Sequence, residues 1–224
     1  MKKKIRNLVF LFMTCLLCGC SGTQGGSTES TVNLNKEDSS LSLVRDEVVD
    51  GYEIQIPQFQ SQTDSAAVAE INRQIEELTG WFLTKIQDGC HARIHTDLYE
   101  DDRYLQVLIQ YKSYPLVGGN ADVVTYNYDR IADKQILFSD VVIELGTTMD
   151  DLKQEAIDAY LESDDAKNNE AFVDGIRVDG FLYEEGEPVF YGSIAISYAN
   201  SEPWAYVYGY HWNQKKMVIY PALP

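Results

Sequence analysis

In the stretch EPWAYVYGYHW, residues 202–212, Trp204, Tyr206, Tyr208, Tyr210 and Trp212 fall on every second position. Only an extended strand has that period, because its successive side chains leave opposite faces; a helix would scatter the rings around its circumference. The stretch therefore predicts a strand with an aromatic face and a small face carrying Ala205, Val207, Gly209 and His211. Such rings suit either a core or a recognition surface, since Tyr and Trp join an apolar body to a polar tip and can stack on sugars. Gly209 would let a helix approach the small face, which puts the rings on the wetter side. Against this, five large rings are the most valuable core material in the chain. The reading adopted is a mostly structural stripe with Trp204 and Trp212 exposed at its ends; as a binding platform it would use all five rings.

Around this strand the pattern alternates. LVRDEVVDGYEIQIP reads as two strands joined at Asp50-Gly51, the second ended by Pro57. From Asp64 to about Gln87, Val68, Ile71, Ile75, Leu78, Phe82 and Ile86 recur at helical spacing after an Asp or Ser cap. HARIHTDLY, RYLQVLIQYKSY, ADVVTYNYDRI and KQILF, separated by polar or Gly turns, form an expected antiparallel meander. A second helix is expected from the Thr148 capping box to about Glu162, then a helical turn near 166–173. Strands are expected at about Gly180–Tyr183, Val189–Tyr198, Trp204–Trp212 and Met217–Tyr220. Strand runs with two segregated helices indicate α+β: antiparallel sheets packed on two main helices.

The chain opens MKKKIRNLVFLFMTCLLCGC, four basic residues followed by an apolar run too short to span a bilayer. Leu17-Cys18-Gly19-Cys20 resembles a bacterial lipobox, which implies cleavage after residue 19 and a diacylglycerol thioether on Cys20. Two acyl chains suffice for stable anchoring at the membrane. Residues 20–40, rich in Ser, Gly, Thr and Asn, are expected to form a flexible linker to one domain over 41–224, with 41–145 and 146–224 as candidate subdomains. Loss of the four basic residues takes the formal charge from −17 to about −21. That field disfavours nucleic acid and favours cationic partners. It also keeps a surface protein soluble.

Candidate sites are few. Processing leaves Cys90 as the last thiol, so no intramolecular disulfide is expected. Cys90 and His91 are strand neighbours facing opposite ways, which argues against a catalytic dyad. His91 and His95 share a face only on a helix, and with His211 alone beside them no metal site is expected. Asp101-Asp102 and Asp164-Asp165 read as solvated turns. Asp129 and Asp140 could form a carboxylate pair, although helix capping explains Asp140 equally well. Gly118, Gly119 and Asn120 form either a ligand loop or a tight turn. No nucleophile elbow, phosphate loop, dinucleotide fingerprint or zinc helix occurs, so no catalytic residue or cofactor is assigned.

The ordered features YEIQIP, Ile71-Asn72 and SYPLVGGNADVVTYNYDRIADKQILFSDVV resemble a family of bacterial extracellular domains. That family occurs in RsiV-type lysozyme-sensing anti-sigma factors, beside polysaccharide deacetylases, and as stand-alone lipoproteins of Gram-positive bacteria. Gly118 and Gly119 match the family's loop glycines, Tyr126, Tyr128 and Asp129 its aromatic strand, and Asp140 its acidic step. The family's loop histidine is missing here. The resemblance implies a non-catalytic, lipid-anchored extracellular binding protein, held at the membrane through Cys20 and able to bind a cationic wall hydrolase such as lysozyme. Two alternatives remain: a glycan-binding or peptidoglycan-binding module using the stripe at 204–212, and an undetected cell-wall hydrolase.

Overall fold

Asp50 and Gly51 take positive φ, 51° and 85°, and join β1 (Ser39–Val49) to β2 (Tyr52–Ser61) as an antiparallel hairpin. Two successive positive φ values match the twist of the flanking strands, and glycine adopts one without a Cβ clash. The structure, a computed structural model, describes residues 39–62, 64–87, 91–114, 122–199 and 201–220. Cys20, Cys90, Gly118, Gly119 and Asn120 lie outside the described residues. The expected linker overlaps the fold by two residues, since β1 already begins at Ser39.

Pro57 does not end its strand as expected. It sits opposite Leu43, beside a shift of register between Leu43 and Arg45. Proline has no N–H to give a ladder, and a bulge is where the ladder is already interrupted. α1 (Ala66–Gln87) follows, its Val68 N–H donating to Ser65 Oγ at 3.2 Å. The predicted stripe buries Val68, Ile71, Ile75 and Phe82. The helix carries the chain across to β3 (His91–Glu100), which runs parallel to β2 through Ile54 and Ile94. β4 (Tyr104–Tyr114), β5 (Asp122–Asp129) and β6 (Lys134–Gln135) complete the meander and a six-stranded sheet in chain order.

The expected strand KQILF stops after Gln135, and the chain turns into α2 (Phe138–Glu144). Phe138, Val141 and Val142 fall on one face and pack into the core, so burial at helical spacing overrides a short β-rich string. α3 (Met149–Leu161) begins where the capping box predicts, with Thr148 Oγ1 accepting from Asp151 N–H at 3.1 Å. α4 (Asp164–Asn168) starts slightly before the expected turn. β7 (Phe172–Glu184) begins eight residues earlier than Gly180, because bulges at Val173/Gly175 and Val178/Gly180 break its alternation. β8 (Glu187–Ser197), β9 (Trp204–His211) and β10 (Lys216–Tyr220) join it in a four-stranded antiparallel sheet, ordered β10-β9-β8-β7.

Among the described residues the content is thus mixed, two sheets and four helices, with strands in the majority. The described residues cluster as one unit. α1 covers one face of the first sheet over Ile54, Ile94, Leu105 and Val107. α2 and α3 cover one face of the second over Phe181, Phe190 and Ile194. The remaining faces meet, Leu108 and Val123 against Leu182, Val189, Tyr191 and Val207.

Polar groups seal the same seam. β7 is an edge strand, and its exposed backbone groups need partners. Gln106 supplies both for Tyr183, accepting from its N–H at 2.6 Å and donating to its carbonyl at 2.8 Å. Thr125 Oγ1 accepts from Phe181 N–H at 2.9 Å, and Asn127 Nδ2 donates to Phe181 O at 2.9 Å. A Cβ on Gly180 would come 2.2 Å from Thr125 Oγ1, so the close approach needs glycine there.

Candidate functional site

The aromatic stripe is mostly core. Tyr208 and Tyr210 are fully buried beneath α3, while Tyr206 and Trp212 are partly buried on the same side. Tyr208 donates to Arg177 O at 2.9 Å and Tyr210 to Glu155 Oε2 at 2.9 Å, so each buried phenol keeps a partner. Burial pushes both phenols well above their ordinary range. As binding residues these two are corrected: their rings contact helix, not solvent. The helices cover the aromatic face rather than the small one; Val207 turns to the first sheet and Gly209 lies against Tyr191 and Tyr220. Trp204 alone stands out, 59% exposed. Trp212 has Lys215 Nζ 3.6 Å from its ring centroid, and that ammonium also meets Glu155 Oε2 at 2.5 Å. Its covered ring is therefore corrected as a free platform end.

The other candidates have structural duties. Asp129, buried, accepts from Ile131 and Ala132 N–H at 2.9 and 3.0 Å and from Arg103 Nε at 3.0 Å. Burial pushes its carboxyl up, but the hydrogen bonds from Ala132, Arg103 and Ile131 outweigh it and hold the group below the usual carboxylate range. Asp140 lies in the first turn of α2 without capping it. His91 stacks on Tyr52, and His95 places Nδ1 3.1 Å from Glu53 Oε2. Among the described residues no three His, Cys, Asp or Glu side chains come together as a metal site.

A cleft of about 570 Å³ opens where the ends of the two sheets meet. The first sheet contributes Leu98, Tyr99, Glu100, Asp101 and Gln106; the second contributes Tyr183, Glu184, Glu185, Tyr191 and Tyr220. Gln106 places the wall by pinning Tyr183 through its backbone. The β7–β8 turn, with Glu185 at φ 51° and Gly186 at φ 82°, projects Glu184, Glu185 and Glu187 beside it. Tyr191 donates to Glu184 Oε1, and its ring stacks on Tyr220 with centroids 6.0 Å apart. Tyr183 stacks on Tyr104 at 4.8 Å. On the far side of the turn a second recess of about 330 Å³ is lined by Glu184, Glu185, Glu187, His211 and Gln214.

The cleft is tyrosine-walled and acidic at its rim, with no lysine or arginine among the described residues of its lining. Tyr99, on the face that meets the second sheet, leaves 37% of its surface exposed. Burial, with help from Asp97 and Glu184, pushes the Tyr99 phenol up to about 12, so it stays neutral in ordinary conditions. Neutral rings beside carboxylates favour a cation with an apolar stem. Sequence reasoning missed Tyr99, Glu184, Tyr191 and Tyr220. YEEGE carries a Glu-Gly turn signal between two expected strands, but its meeting with β3 and β10 is a long-range event. Compared with protein-family models and with curated proteins, the chain matches none.

Proposed function

We propose that this protein is a non-catalytic extracellular binding lipoprotein of a Gram-positive bacterium, anchored through lipid on Cys20, that captures a cationic protein such as a lysozyme-like wall hydrolase. The single observation that carries the reading is the tyrosine-walled cleft with its acidic rim, on a chain of formal charge −17. Desolvated aromatics supply affinity, and the carboxylates around them steer a positive partner. The fold reading that accompanies it is α+β, with helices on the outer faces of two packed sheets, similar to the RsiV-type extracellular domains. No helix among the described residues is long and apolar enough to cross a membrane. The lipid on Cys20 is the anchor this proposal requires, and mass spectrometry of the membrane-extracted protein tests it directly: an unmodified N-terminus would remove the anchor.

Binding of the purified chain to lysozyme, and separately to peptidoglycan, at low and physiological salt tests the partner. Salt-sensitive lysozyme binding is the expected result. A second reading, glycan contact, rests on exposed Trp204 at the entry to β9. It predicts salt-resistant peptidoglycan binding that Trp204→Ala abolishes.

A further inference from the structure

Two cations of this chain are held in the same way. Lys215 lies over Trp212 and against Glu155, and Arg103 lies 5.0 Å from the Tyr104 ring centroid while its Nη2 meets Asp129 Oδ2 at 2.9 Å. Each pairs an aromatic ring with a carboxylate. The cleft between the sheets offers the same pairing, Tyr99, Tyr191 and Tyr220 around Glu184, with no cation among the described residues of its lining. No described lysine, arginine or histidine makes an ion pair with Glu184.

We infer that this cleft takes a single lysine side chain of the captured protein, its methylene stem along the Tyr99 ring and its ammonium at Glu184. The inference deepens the cationic-partner reading and rests on it. Three features select a primary ammonium. Carboxylate and phenol oxygens line the cleft, and a lysine head brings three donors to them, whereas a quaternary ammonium brings none. Glu184 Oε1 already takes the Tyr191 hydroxyl, so a guanidinium fork would have to share that oxygen, whereas a point charge can sit on Oε2. The partly exposed Tyr99 ring suits a flexible hydrocarbon stem that carries its charge at the tip.

The test is titration of the full chain with lysozyme in three forms: unmodified, with its lysines acetylated, and with its lysines guanidinated so that charge is kept. A lysine tripeptide, acetyl-Gly-Lys-Gly-amide, serves as the small probe. Tyr99→Ala removes the aromatic wall, and Glu184→Gln removes the charge while keeping an acceptor for Tyr191. The expected result is an affinity loss of about tenfold or more in Tyr99→Ala and Glu184→Gln, and on acetylation or guanidination. Salt-sensitive lysozyme binding that neither variant weakens, or that survives guanidination, overturns the lysine assignment and leaves the capture reading standing. Tripeptide binding that is lost in both variants, without lysozyme binding, upholds the cleft and overturns that partner. If neither probe binds, both fall.

Discussion

Gly180 shows how one residue sets the spacing of two sheets. Its missing side chain lets Thr125 reach the Phe181 N–H, so Gly180→Ala is expected to cost about 1–3 kcal/mol by overpacking, read as a lower melting temperature. Tyr99→Ala, at a partly exposed position, should leave melting nearly unchanged. Asp129 carries a pH signature. Its carboxyl is held below the usual range in the folded chain, so the stability it contributes is full above the ordinary carboxylate pKa, about 4, and is lost as pH falls below that. Asp129→Asn should therefore melt lower at neutral pH and lose less on acidification than the natural chain; parallel acid profiles would contradict this role. At this scale the sequence was partly legible. Trp204 was correctly placed in the open and the middle of the stripe was read as mostly structural, whereas Trp212, also placed in the open, is covered by Lys215 and the core.

Elements were legible where one local rule governed them. α1 kept its helical stripe, Asp50-Gly51 kept its turn, and Thr148 kept its cap, because period, positive φ and capping are fixed within a few residues. Thr148→Ala should cost about 1 kcal/mol in thermal or denaturant unfolding. α2 and the first half of β7 were hidden for opposite reasons. α2 has too few residues to display a period, and the bulges of β7 throw its side chains out of alternation. The capture of β7 by Gln106, Thr125 and Asn127 was invisible, since those residues look like ordinary outward positions of a meander. Gln106→Leu should leave the Tyr183 N–H and carbonyl without their partners and cost about 1–3 kcal/mol for each group left buried. A variant as stable as the natural chain would show that water replaces the amide.

For the whole molecule, the candidate site exists only because the sheets pack. Tyr99 lies far along the chain from Glu184 and Tyr220, and no spacing rule relates them; packing of Leu108 and Val123 on Val189 and Val207 brings their strands together. The acidic balance, by contrast, was readable from composition and pointed to the same class of partner. Composition gives the sign of the field, and the fold gives it an address. The central claim is that a cationic protein is captured at the β7–β8 turn, and the most direct measurement is lysozyme titration of the natural chain beside a Glu184→Lys, Glu185→Lys, Glu187→Lys variant, at about 20 and about 150 mM salt. The account predicts salt-sensitive binding by the natural chain and a loss of more than about tenfold in the variant at low salt. Equal binding by both chains would contradict it.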